Sequence, residues 1–299
     1  MTSPDDSERE RSEALCALEQ GAAEVGLDLP EPDLIRIGSN AVFRSGTTIV
    51  RVSAPHADIE SVRTTVEVAR WLAGHSVPVT EVLDVRQPIT AGDRVVTFWR
   101  SVSDRTVFGT TEDCGRLLAK MHAIQDPAPV PLPGFDPGGK AARRLSKLQH
   151  LDAGTRDFLA DRLGQLAADF GGLTFALRPG PIHGDANVGN VLVDDAGVAR
   201  LADLDSFATG AREWDLIQTA QYYEQFGWHT RNEYRSFVKA YGFDVMEWPG
   251  YSTLRDTLEL TMLTWIAGRA ETDPAAVPEA RQRIHDVRTG SSRRSWKPF

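Results

Sequence analysis

The sequence predicts an α+β protein in which a small antiparallel sheet near the amino terminus is followed by a larger, mostly helical remainder. Three observations carry that reading. Short strand-like runs broken by Gly, Ser and Asn turns crowd into residues 35–99, helical periodicity takes over from Thr111, and strands precede helices instead of alternating with them. A division near Trp99 is expected, with one lobe over residues 1–99, carrying an N-terminal helix, and a second over residues 100–299.

Strands are expected at 35–38, 41–44 and 48–53, around the turns Gly38-Ser39-Asn40 and Ser45-Gly46, an arrangement of the kind that covers phosphates. A helix over 58–74 follows, with Ile59, Val62, Val66, Ala69, Trp71 and Leu72 near helical period. Strands at 81–86 and 94–99 close the sheet. Beyond it, Cys114, Leu117, Leu118 and Met121 form one helical stripe ending at His122, and a proline-rich connection covers 127–137. Helices are expected at 139–151 and 153–170, then a hairpin from 191 to 202 about the turn Asp194-Asp195-Ala196-Gly197, then helices at 212–225, 231–241, 251–270 and 274–287. The polar, basic tail RTGSSRRSWKPF is expected to be partly mobile.

With 41% apolar and 25% charged residues over 299 positions, the chain has an ordinary globular composition. No apolar run is long enough to span a membrane, and the start MTSPDDSERERSE is too acidic and polar for a signal peptide. Two cysteines, Cys16 and Cys114, make no disulfide framework, so a cytoplasmic location is expected. The seven histidines lack zinc-site spacing. A net charge of −9 disfavours a nucleic-acid partner and suits cationic small molecules.

The chemistry is concentrated in HGDANVGN (183–190) and LADLD (201–205). Asp185 followed five positions later by Asn190 matches the spacing D-x-x-x-x-N, in which the Asp orients an attacking hydroxyl and the Asn holds magnesium. The hairpin then delivers Asp203, a second oxygen ligand. One carboxylate and one amide oxygen, completed by phosphates and water, suffice for a magnesium ion. His183 reads as a packed structural histidine, because no G-x-S-x-G elbow accompanies it. Asp205 reads as a solvated acceptor, the alternative being an outer metal contact.

At these residues, and in the order of motifs that follows (Gly189-Asn190, Asp203, Gly210, Asp215-Leu216), the chain resembles the aminoglycoside phosphotransferase family, small-molecule relatives of protein kinases. GAREWDL from Gly210 and the closing Trp296-Lys297-Pro298-Phe299 are similar to actinobacterial-type members. The resemblance implies a two-lobed protein-kinase-like fold. It also implies ATP or GTP as co-substrate with Mg2+, Asp185 as catalytic base, Asn190 and Asp203 as metal ligands, and Asp215 as a buried anchor of the catalytic loop. Nucleotide contacts are implied at Ser39 and Asn40, at Arg51 where the family usually has Lys, at Glu67 as partner of Arg51, and at the hinge Thr97, Phe98 and Trp99 through backbone groups. Arg for Lys is not a conservative exchange.

The later helices are implied to form the acceptor wall, with Tyr222, Tyr223, Trp228, His229, Glu259 and Trp265 as candidate lining groups for a cationic or sugar-like molecule. Aromatics at helical spacing also fit a packed core. Lys140, Arg143, Arg144 and Lys147 read as a solvated basic face, with phosphate contact as the alternative. The expected activity is phosphorylation of a hydroxyl on a small molecule, aminoglycoside or amino-sugar-like, with antibiotic resistance one consequence. The alternatives are a kinase of another metabolite (sugar, amino alcohol or nucleoside) and a nucleotide-binding pseudokinase, the latter motivated by Arg51.

Overall fold

The computed structural model describes residues 4–299, with side chains from Glu8 onward. In chain order the elements are α1 (Pro4–Glu24), β1 (Asp33–Ile37), β2 (Asn40–Ser45), β3 (Thr48–Ser53), α2 (Ile59–Gly74), β4 (Ile89–Ala91), β5 (Arg94–Arg100), α3 (Thr111–His122), α4 (Gly139–Leu145), α5 (Ala153–Gly171), β6 (Gly180–Ile182), β7 (Val191–Val193), β8 (Ala199–Leu201), β9 (Ala208–Gly210), α6 (Trp214–Gln221), α7 (Arg231–Tyr241), α8 (Tyr251–Arg269) and α9 (Ala276–Thr289). They fall into two compact units. One runs up to Leu132 and takes back Val188–Phe207; the other comprises Pro133–Asn187 and Ala208–Phe299.

The first unit is built on an antiparallel sheet of order β1-β2-β3-β5-β4. On α1, Ala14, Ala17, Leu18 and Ala22 recur at helical spacing and share a core with Val50, Val52, Val96 and Phe98. Fully burying side chains of the Val or Phe class contributes about 1.5–3 kcal/mol each, so this face anchors β3 and β5. Asp58 caps α2 by accepting from the Glu60 N–H, and the buried set Val66, Val68, Ala69, Trp71 and Leu72 confirms the apolar stripe.

Residues 81–86, expected as a strand, form only an isolated bridge (Val82 with Trp99); the fourth strand is β4. The reason is a side chain. Gln87 Nε2 donates to the carbonyls of Leu83 and Phe98, while its Oε1 accepts from the Phe98 N–H at 2.7 Å, so an amide side chain stands where strand backbone would pair. Residue 99 is the penultimate position of β5, and the unit continues beyond it because α3 packs on β8 and Gly109 pairs with Val191 through a 2.8 Å backbone bond. A Cβ on Gly109 would lie 2.5 Å from Val191 Cγ1, so only glycine permits this approach.

The second unit is helical, its core formed where α4, α5, α8 and α9 meet through Leu145, Leu159, Leu163, Leu260, Leu263 and Ile266. A two-stranded ribbon, β6 with β9, was not anticipated. The helix expected over 139–151 ends at Leu145, and the one expected over 212–225 divides into α6 and a π-turn, Tyr222–Phe226, closed by Gly227 at φ +69°. The tail departs from its expected mobility. Trp296 is 2% exposed, stacks on Phe226 and donates from Nε1 to Asp286 at 2.9 Å.

Candidate active site

In the sheet unit, a cleft of about 320 Å³ has apolar walls from Ile35, Val42 and Ile49 of the sheet and Leu192 of β7. Its polar lining includes Arg51, Asn190 and Asp203, together with Arg36, Arg44, Arg100 and Arg105. An apolar pocket with a few convergent polar groups is the usual form of a small-molecule site. A smaller cavity of about 150 Å³ adjoins Arg51 and Trp99 and is rich in hydroxyls: Ser39, Ser53, Ser61, Thr65 and Thr97.

Arg51 projects from β3 with its side chain 17% exposed. Its Nη2 is bonded to Asp205 and lies 3.6 Å from Asp203, and its guanidinium carbon sits 5.8 Å from the Trp99 ring centre. The expected partner Glu67 instead pairs with Arg70 at 2.9 Å, one turn along α2. Helical geometry explains the correction. At about 100° per residue, Thr65 falls roughly 45° from the middle of the stripe Val62, Val66, Ala69 and Leu72, whereas Glu67 falls roughly 155° away. The inward polar residue of α2 is therefore Thr65, whose hydroxyl lies between two acceptors, the Ser61 carbonyl at 3.3 Å and Asp205 at 3.4 Å. Asp205 also accepts from Asn40 Nδ2 at 3.2 Å, so the acceptor expected to be solvated is still 39% exposed but is engaged by protein donors.

Asp203 leaves β8 in the left-handed region, at φ +57° and ψ 61°, ahead of a 3-10 turn, Leu204–Ser206. Among L residues Asp tolerates that region better than most, and such strain gathers at functional sites. Leu204 and Phe207 are buried, and Phe207 packs edge-on to Trp71 at 6.4 Å, which seats the turn on α2. Asn190 ends a short 3-10 turn, Val188–Asn190, and its carbonyl accepts from the Ala202 N–H at 2.9 Å. The donor set is hard oxygen, and the described residues hold no cluster of three or more His, Cys, Asp or Glu fit to bind a metal unaided. An amide and one carboxylate in a common cleft fit a magnesium ion whose shell is completed by phosphates.

The expected hinge residues are differently placed. Both backbone groups of Phe98 are taken by Gln87 and Leu83, and its ring is in the core. Thr97 and Trp99 face Arg51 and Ile49 in the β3–β5 ladder. The cleft wall continues past them through Ser101, Val102 and Ser103, where the strand has ended. Strand ladders consume backbone groups, and the Ser101 N–H still donates to the Thr47 carbonyl at 2.8 Å, so free ones are expected beyond Ser101.

In the helical unit the HGD segment is organised by Asp215, 1% exposed near the start of α6, whose two oxygens accept the His183 N–H at 2.7 Å and the Gly184 N–H at 2.8 Å. Trp214 Nε1 donates to the Gly184 carbonyl at 3.2 Å. Gly184 has φ +80°, a conformation natural to glycine. His183 is fully buried and its Nδ1 accepts from the Asp185 N–H at 3.3 Å, in keeping with a structural role. Asp185 itself is exposed, and the Asn187 amide donates to its carbonyl.

Two groups missed as partners feel the Asp185 charge. Burial pushes the Tyr222 phenol up to about 12, with Asp185 adding to the shift, and burial lowers the Arg144 guanidinium against the opposing pull of Asp185. Tyr222 accepts from Gln218 at 2.8 Å and packs on Trp228 at 4.7 Å. Arg144 donates to the Thr261 carbonyl at 3.3 Å and is half-buried, so it leaves the solvated face read from the sequence. Tyr223 stacks on Tyr234, and His229 is held below its ordinary range by burial. The other candidates are differently occupied. Glu259 is 4% exposed and forms a two-pronged pair with Arg293 at 2.8 and 2.9 Å. Trp228 donates to the Trp296 carbonyl, and Trp265 lies at the surface beside Arg269. Glu259 and Trp228 thus hold the docked tail, contacts that sequence spacing could not reveal.

The family model described as "phosphotransferase enzyme family" matches residues 35–256. Among solved structures, the chain is similar to a choline/ethanolamine kinase family protein from Mesorhizobium loti, with 18% identity, 91% of this chain and 94% of that one covered, and a TM-score of 0.61. It is similar to the amicoumacin kinase solved with AMP-PNP, Ca2+ and Ami, at 14% identity, 94% and 95% coverage, and a TM-score of 0.72. A spectinomycin phosphotransferase in complex with ADP and spectinomycin matches at 12% identity, 90% and 92% coverage, and a TM-score of 0.63. These likenesses show the protein-kinase-like α+β fold. No curated protein matches the sequence.

Proposed function

Because the chain belongs to the phosphotransferase enzyme family, we propose that it moves the γ-phosphate of ATP or GTP to a hydroxyl of a small molecule, with the nucleotide held in the cleft of the sheet unit. The observation that carries this reading is the convergence of Arg51, Asn190 and Asp203 on one apolar-walled cleft. The apolar walls suit a base, Arg51 suits phosphates, and Asn190 and Asp203 would hold Mg2+. Magnesium, when bound, neutralises charge on the phosphate oxygens. Residues 1–99 would serve chiefly the nucleotide and residues 100–299 chiefly catalysis and the acceptor.

Asp185 is the proposed base. It takes the acceptor's hydroxyl proton as that oxygen bonds to the γ-phosphorus and the bond to the β,γ-bridging oxygen breaks. Asp215 keeps the loop in shape by holding two N–H groups. The acceptor is proposed to be aminoglycoside or amino-sugar-like, in a cytoplasmic setting; the chain's acidity and the antibiotics named with two of the similar structures support this. A second reading, a nucleotide-binding sensor without turnover, is favoured by Arg51 at the usual Lys position. Screening aminoglycosides, amino sugars, free sugars, amino alcohols and nucleosides for acceptor-dependent ADP or GDP release tests both. Release with any acceptor supports the kinase; nucleotide binding with no release from any member supports the sensor.

A further inference from the structure

Asp205 is gripped from three elements: by Asn40 of β2 at 3.2 Å, by Arg51 of β3, and by Thr65 of α2 at 3.4 Å. The two acids of α2 are elsewhere, Glu60 against Arg63 at 3.3 Å and Glu67 against Arg70. The strand cation is therefore held by the turn that also carries Asp203.

We propose that Asp205 is the positioning residue of Arg51, so that the turn bearing the metal-binding Asp203 also aims the cation at the nucleotide's phosphates. The proposal rests on the nucleotide reading above. Arg51 meets Asp205 through Nη2 alone. A guanidinium presents five N–H donors in a fixed fork, so Nε and Nη1 remain to face phosphate while Nη2 stays tied. Without Asp205 the other carboxylate in reach of Nη2 is Asp203, at 3.6 Å. Arg51 would then settle on the very group assigned to the metal. Asp205 takes the hydrogen bond of Nη2 and leaves Asp203 in the longer contact, at 3.6 Å, and Asn40 and Thr65 hold Asp205 in turn.

A thermodynamic cycle tests this, with Mg2+ and AMP-PNP, or GMP-PNP if the parent protein prefers it, titrated into folded protein by calorimetry. Arg51→Ala should weaken binding about tenfold in the parent but less than about threefold in an Asp205→Asn background, because an unaimed guanidinium has less to lose. Asp205→Glu should restore much of the coupling, which a merely structural role would not. A parallel cycle of Arg51 with Glu67→Gln should be additive. If Asp205→Asn does not fold, Thr65→Val replaces it and should give weaker coupling of the same sign. Additivity of Arg51 with position 205, or with 65 where that variant is used, overturns the proposal, as does coupling to Glu67 alone. Failure of the parent to bind either nucleotide overturns the nucleotide reading and this proposal together, whereas binding with an additive cycle overturns this proposal only.

Discussion

The HGD segment of the helical unit and the Arg51 network of the sheet unit each depend on a carboxylate, but in opposite ways. Asp215 is 1% exposed and grips backbone N–H groups at 2.7 and 2.8 Å. Asp205, with its side chain 39% exposed, grips side chains from three separate elements. A backbone donor is present whatever residue occupies the position, so the first arrangement needs only a fixed chain path and one acid. The second needs four side chains to converge, and water competes for each of them. The difference teaches that rigidity in the loop is built into its main chain, whereas the Arg51 network is tuned by replaceable side chains.

The largest expected effect tests the chemistry that the Arg51 network serves. Asp203→Ala should lower turnover by a factor of roughly a thousand or more, since a lost metal contact forfeits several kcal/mol of transition-state stabilisation. Asp205→Ala should leave measurably more activity, read as initial rates with any acceptor the screen yields. Equal loss in two folded variants would erase the distinction between metal ligand and positioning residue.

Next comes the loop anchor. Asp215→Ala strands two N–H groups and should destabilise the fold by about 3–5 kcal/mol, measured as a shift of the urea midpoint. A cost under about 1 kcal/mol would mean that water replaces the carboxylate and that the contrast between the two regions is smaller than drawn. Gly184→Ala places a Cβ at φ +80° and should cost about 1–2 kcal/mol. Its effect on rate should exceed its effect on nucleotide affinity, because Asp185 is displaced while the cleft is untouched; separate kcat and KM values decide that.

The smallest effect is expected at Glu67→Gln, which removes an i,i+3 pair at the surface of α2. It should change stability by less than about 0.5 kcal/mol. A large loss of nucleotide affinity in this variant would return Glu67 to the partnership the sequence suggested for it.

What the sequence determined by itself is the content of the contiguous motifs. Asn190 and Asp203 are brought to one cleft by a single short hairpin, and the α2 stripe survives because 3.6 residues per turn is a property of the chain, whereas the bonds of Asp215 to His183 and Gly184 join residues more than thirty positions apart. Even the inward face of Thr65 was legible from that period, although the family resemblance drew attention to Glu67 instead. Tertiary structure alone decided the rest. Gln87 replaced a strand by capping Phe98, β5 consumed the backbone groups expected of a hinge, and Trp296 and Arg293 drew Trp228 and Glu259 into the docking of the tail. Each of these joins residues distant in sequence through a side chain with several partners open to it. Which partner wins depends on burial and on competition with water, and neither is written in spacing.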